Sequence, residues 1–385
     1  MGQPIEAEKV LREMKEQGIE PDIVCYTSVI QAYRRVRNIN KWWELFAITE
    51  QKIMNDEFLI SLMIRICAAT HQAEKALMLF HRLETLGFVE YAEPYNSIIF
   101  ALASRPEYAR QAIEKYRIMQ KKRIVPDYHT FVGVLKATSK YGDIPVAIEA
   151  LDTMRNLGFE MNSHIYNGLI RTYAGACTIP KIEERQIESY VADAWALLDQ
   201  MKEKDIPLNI YILDSMVLLH WKALFTQELH EQVLPLYERH HIEPSIYTYE
   251  NLIQLYADIG ENQLVFETYD RILSLNFKPN PKILRTYLKL SSDINDVDRI
   301  VDALETYVER KFFPPGKIIN KLSKIHDPSD RLYVALRSLP KQYGRIRDDI
   351  RRFSPPVRTV RVGKKPFRTG GMGRKRTKKI RKKGF

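Results

Sequence analysis

A chain of 385 residues, 45% of them hydrophobic and with a formal charge of +11, can form one elongated array or two to three globular domains. Its cysteines, Cys25, Cys67 and Cys177, are odd in number and far apart, which excludes a local zinc cluster or a disulfide framework and fits a reducing compartment. No run approaches the ~18 apolar residues of a membrane span, and the first residues, carrying Glu6, Glu8 and Glu13, look like neither a secretory signal nor an Arg-rich transit peptide.

The charge is segregated. Residues 341–385 hold 18 Lys+Arg against Asp348 and Asp349, which leaves 41 basic and 46 acidic residues in the first 340. One end is a polycation and the remainder is slightly acidic, a pattern expected of a tail that meets a polyanion.

In chain order, residues 5–17 predict an amphipathic helix with Val10, Leu11 and Met14 at helical spacing, ended by Gly18. Eight residues further on, Tyr26 opens the next helix. The same interval recurs as Gly87 to Tyr95, Arg123 to Phe131, Gly158 to Tyr166, Asp205 to Leu213, His241 to Tyr249, Asn276 to Leu284 and Lys311 to Ile319. Pro126, Pro244, Pro279 and Pro314 mark the connector, where a residue without an N–H stops the preceding helix. The segment Pro126–Tyr166 shows the unit: two helical runs separated by Tyr141-Gly142-Asp143, with steps of 35 from Phe131 to Tyr166 and from Met119 to Met154. Cutting after each connector gives units 23–57, 58–91, 92–127, 128–162, 163–209, 210–245, 246–280 and 281–315, with partial units at both ends of an array spanning 1–339.

One hairpin cannot bury its apolar face alone, so the period predicts an all-α solenoid of about eight to nine stacked hairpins. Unit 163–209 is a dozen residues longer than the rest, with the excess between its helices around Ala176 to Ser189: a hairpin-tip insertion or a local partner contact. Residues 316–339 read as a final capping unit. The basic segment 340–385 has too little apolar matter to fold alone.

Period 35, the Gly18-Ile19-Glu20-Pro21-Asp22 connector with Tyr26-Thr27, and Val125-Pro126-Asp127 resemble pentatricopeptide repeats over about residues 5–339. The tetratricopeptide repeat has period 34 and another consensus. The resemblance implies a right-handed superhelix whose first helices line a groove for single-stranded RNA. It also implies one base read per unit, by the residue after the opening aromatic and the last residue of the unit. The pairs so implied are Thr27/Glu57, Leu62/Tyr91, Asn96/Asp127, Val132/Asn162, Asn167/Asn209, Asp214/Ser245, Glu250/Asn280 and Arg285/Pro315. Only Asn96/Asp127 and Asn167/Asn209 are standard combinations, for uracil and cytosine, with Val132/Asn162 a weaker one. The base-flanking column implied by the family carries His129, His164, Tyr211 and Tyr247, rings that can stack on bases or fill gaps between units.

No phosphate-binding glycine loop, His-Glu-x-x-His spacing or catalytic constellation is present, so neither enzymatic activity nor a cofactor, metal, small-molecule substrate or membrane is expected. The leading expectation is a structural subunit of a mitochondrial ribosome that contacts rRNA, mRNA or ribosomal proteins and lies in the matrix. Its tail cations Arg358, Arg361, Lys364, Lys365, Arg368, Arg374, Lys375, Arg376, Lys378, Lys379, Arg381, Lys382 and Lys383 would neutralise rRNA phosphates. A free-standing organellar factor acting on a transcript and a protein-interaction scaffold are the alternatives.

Overall fold

The computed structural model describes residues 4–35, 39–52, 56–322 and 330–339, and all regular structure among them is helical. The expected basic tail lies outside the described residues. The described residues fall into two compact units, one ending at Ile294 and the other beginning at Asn295.

The first unit is an α-solenoid of helical hairpins. Its helices are α1 (Pro4–Glu16), α2 (Ile23–Arg35), α3 (Ile39–Lys52), α4 (Glu57–Ala69), α5 (Ala73–Thr85), α6 (Ala92–Leu102), α7 (Ala109–Lys121), α8 (Tyr128–Thr138) and α9 (Ile144–Asn156). They continue as α10 (Ser163–Ala176), α11 (Glu184–Glu203), α12 (Ile210–Ala223), α13 (Thr226–Glu228), α14 (Leu234–Arg239), α15 (Ile246–Ile259), α16 (Asn262–Ser274) and α17 (Pro281–Asp293). A π-helical turn, Leu229–Val233, joins α13 to α14. The first helix of each hairpin packs on the first helices before and after it: α4 on α6, α6 on α8, α8 on α10, α10 on α12, α12 on α15 and α15 on α17.

The connector explains the period. Each position read as a helix end, Gly18, Gly87, Arg123, Gly158, Asp205, His241, Asn276 and Lys311, has positive φ. The following amide closes the helix by bonding back five residues, as in Ile124 N to Met119 O at 3.1 Å and Phe159 N to Met154 O at 3.1 Å. The residue after each turn is apolar, and Phe159 and Phe277 lie edge-on or tilted against Phe131 and Tyr249 at 6.0 Å. Tyr26, Tyr95, Phe131 and Tyr166, the opening aromatics, are buried at the fourth helical position. They form the spine on which successive hairpins stack.

The long unit spends its extra residues on the linker Cys177–Glu183 and on α11, which runs 20 residues where α5, α7 and α9 have 13. The second compact unit contains α18 (Val297–Glu309), α19 (Gly316–Leu322) and α20 (Asp330–Ser338). Here α18 packs on α20, with Ile300, Leu304, Leu332 and Leu336 buried.

Candidate nucleic-acid interface

The last residue of each unit is the N-cap of the next first helix. Asp22 accepts from Cys25 N at 2.8 Å, Asp56 from Leu59 N at 2.8 Å and Asp127 from Thr130 N at 3.0 Å. Asn162 accepts from His164 N at 3.0 Å, Asn209 from Tyr211 N at 3.0 Å, Ser245 from Tyr247 N at 3.1 Å and Asn280 from Lys282 N at 3.0 Å. Capping alone therefore accounts for a short polar residue at this place, and only the atom left over is available to anything else. Tyr91 is a cap without a capping side chain.

These caps correct one register. Asp56, not Glu57, closes unit 23–57, because Glu57 is already the first residue of α4, where its charge suits the helix dipole. Counting five from each cap puts Ser61 where Leu62 was expected, and Leu62 is fully buried. The pairs there are Thr27/Asp56 and Ser61/Tyr91.

The fifth residues differ in what holds them. Asn96 Nδ2 donates to Asp127 Oδ2 at 2.8 Å, so this pair is joined. Asp214 accepts from Ser245 Oγ at 2.8 Å, from Tyr237 OH at 3.1 Å and from Thr248 Oγ1, while Glu250 accepts from Asn280 Nδ2 at 2.6 Å and from Lys282 Nζ at 2.7 Å. Asn167 accepts from Ser215 Oγ, and Asn209 is engaged in its cap. Val132 is half-buried, and Asn162 caps α10 and accepts from Tyr128 OH.

His129, His164, Tyr211 and Tyr247 stand at the second position of α8, α10, α12 and α15. All are exposed, the two tyrosines by 65% and 64%, so none fills a gap between units. Counting two from each cap extends the column to residues that the aromatic pattern did not reveal: Val24 and Phe58, both exposed, then Glu93 and Lys282.

Seven residues on, the same helix face carries Arg65, Phe100, Lys136, Arg171 and Lys289 at the ninth position. Lys136 Nζ lies 5.4 Å from the Phe100 ring centre, and burial pushes its pKa below the usual lysine value. Burial, reinforced by the Arg171 charge, does the same to Lys140. Between α4, α6 and α8 the face opens into a cavity of about 680 Å³ lined by Arg65, Asn96, Phe100, Asp127, His129 and Lys136. Arg65 is paired across its rim with Glu93 at 3.0 Å. The arrangement offers flat rings, amide and carboxylate groups, and cations in rows set by one helix repeat. The thirteen tail cations expected to meet phosphate lie outside the described residues.

Comparison with known proteins finds the family model described as "Pentacotripeptide-repeat region of PRORP" over residues 117–313, a pentatricopeptide repeat domain over 9–53 and a PPR repeat over 60–88. The pentatricopeptide repeat-containing protein At5g27110 of Arabidopsis thaliana is 26% identical over 157 residues, covering 40% of this chain and 22% of that protein. The chloroplastic At3g49170 of the same plant is 20% identical over 377 residues, covering 92% and 42%. The chain thus spans less than half the length of these relatives. Among solved structures, the pentatricopeptide repeat protein PPR10 from maize is 16% identical, with 91% of this chain and 61% of that chain covered at a TM-score of 0.48. PPR10 in complex with an 18-nt psaJ RNA element is 14% identical over 91% and 59%, at a TM-score of 0.38. With a family model matching from Arg117 through Phe313, on top of the capped, 35-residue hairpins, this chain belongs to the pentatricopeptide repeat family.

Proposed function

We propose that the chain binds single-stranded RNA along the face made by the second, fifth and ninth residues of its first helices, and that it serves as a non-catalytic structural subunit of an organellar, specifically mitochondrial, ribosome. The observation that carries the RNA reading is the succession of exposed rings His129, His164, Tyr211 and Tyr247 beside Lys136 and Arg171. Each ring can stack on a base for roughly 1–3 kcal/mol, and each cation can replace a counterion on a phosphate. Membership of the family supports the same reading.

Two features support the ribosome as the place of work. Most fifth residues are committed within the protein, as Asp214 and Glu250 are, so few remain to specify a message. The basic segment 341–385 provides sequence-independent affinity suited to abundant rRNA. The partners are then rRNA, with mRNA and ribosomal proteins as neighbours. A free-standing factor acting on one transcript is the second reading, favoured by the Asn96–Asp127 pair, which faces the cavity with atoms to spare.

Sedimentation of organelle extracts at low salt tests the proposal: the chain should travel with ribosomal particles, and removing residues 354–385 should shift it to light fractions. Recovery of the intact chain only in light fractions, with intact ribosomes present, would sink the ribosomal reading and leave the transcript factor.

A further inference from the structure

We infer that Thr130 is a positioning residue that fixes which edge of Asn96 faces the cavity, and through it the base preferred by that unit; this rests on the RNA reading above. Thr130, the third residue of α8, is fully buried and touches both members of the pair. Its Oγ1 accepts from Asp127 N at 3.1 Å, completing a capping box, so its own hydrogen is free to donate. The nearest acceptor is Asn96 Oδ1 at 2.6 Å, with Asp127 Oδ1 further off at 3.3 Å.

The Asn96 amide is thereby locked at both ends. Asp127 is acceptor-only, so the atom facing its Oδ2 must be Nδ2; Thr130 donates, so the atom facing it must be Oδ1. A turned amide would set two acceptors against each other at the carboxylate. Asn96 is 8% exposed and lines the cavity, and the one donor it has left for a ligand is its second Nδ2 hydrogen. Asp127 lines the same cavity with lone pairs to spare.

The protein therefore offers a donor beside an acceptor. A base matches this when a carbonyl oxygen adjoins a ring N–H, which is true of uracil and guanine. Cytosine and adenine present a bare ring nitrogen beside an amino group, the reverse order. The unit is inferred to select uracil or guanine.

The same position elsewhere shows what the lock requires. Thr248 of α15 also bonds the fifth residue of the preceding first helix, α12, but that residue is Asp214, an acceptor-only carboxylate engaged by three hydroxyls, with no amide whose edge could be fixed. Ile165, Ile212 and Ile283 occupy the third position of α10, α12 and α17 and have no hydroxyl.

The test is selection from a random single-stranded RNA pool by the full chain and by Thr130→Val, Thr130→Ser and Asp127→Asn. The full chain is expected to enrich uracil or guanine over cytosine and adenine at one position by about fivefold or more. Thr130→Val should flatten that position to below about twofold, with the preferences at neighbouring positions unchanged, and Thr130→Ser should restore it. Asp127→Asn keeps the cap and frees the amide to turn, and should flatten the same position even where Thr130→Val fails to fold. A folded Thr130→Val that keeps the original preference, a Thr130→Ser that fails to restore it, or a position reading cytosine or adenine overturns the inference. If the unmutated chain enriches no RNA, the RNA reading itself fails and takes the inference with it.

Discussion

Asp214 holds in α12 the place that Asn96 holds in α6, yet the two are opposite in what they leave open. Asn96 retains a hydrogen on the wall of a cavity, whereas Asp214 is a buried carboxylate filled by Ser245, Thr248 and Tyr237. The position that would read a base in one unit is a structural tie in another. Asp214→Ala should therefore leave the buried Tyr237 and Thr248 hydroxyls and the half-buried Ser245 hydroxyl short of an acceptor and destabilise the fold by about 1–3 kcal/mol, without altering base preference. Chemical unfolding and RNA selection on the same variant check both halves.

Gly142 lies against the end of α10. A Cβ placed on it would fall 2.3 Å from Ala176 Cα and 2.4 Å from Ala176 N, and its φ is +73°. Neither backbone can give way cheaply. Gly142→Ala should cost about 2–5 kcal/mol, the sum of left-handed strain and overpacking. Gly158 has φ +79° with open space around it, so Gly158→Ala should cost only the strain, about 1–2 kcal/mol. Equal losses in thermal unfolding would contradict the packing of the hairpin tip.

His220 gives the fold a pH dependence. The ring is fully buried, its Nδ1 bonds Met216 O at 2.8 Å, and its Nε2 stands 3.7 Å from Glu228 Oε1 without a hydrogen-bond partner. Burial pushes its pKa below the ordinary histidine value, while the Met216 carbonyl and Glu228 pull the other way. The folded state thus refuses a proton that the unfolded chain accepts. Its stabilising contribution is present above about pH 6.5 and is lost as the pH falls from there through the folded value. Melting temperature measured from neutral to acidic pH should fall more steeply for the unmutated chain than for His220→Asn; parallel curves would contradict the assignment.

Tyr211 and Tyr247 are exposed and their rings support no packing between units. Substituting each by Ala should leave stability within ~0.5 kcal/mol and weaken binding of a labelled oligouridylate by roughly 1–3 kcal/mol per ring. Fluorescence anisotropy and thermal unfolding separate the two effects.

Much of the fold was legible because its signals are local. A positive-φ residue, an apolar residue after it and a capping side chain recur at fixed intervals, and Gly18, Gly87 and Gly158 with Asp127 and Asn162 display them in the sequence. Arg123 and Lys311 take the same left-handed turn without glycine, and only the period identified them. The interface was less legible. The one-residue slip at Asp56 arose because Asp56 and Glu57 are both acids, and only the hydrogen bond to Leu59 N separates the cap from the first helical residue. Whether a fifth residue is open or closed depends on side chains from other elements, as with Tyr237 on Asp214 or Ser215 on Asn167, and no spacing rule reveals that.

Ultraviolet cross-linking of the chain in its native organelle, followed by sequencing of the attached RNA and mapping of the attached peptides, tests the central proposal most directly. Cross-links are expected between Asn96 and Glu250, centred on His129, His164, Tyr211 and Tyr247, and attached to rRNA. Peptides from this face that carry no RNA would contradict that proposal.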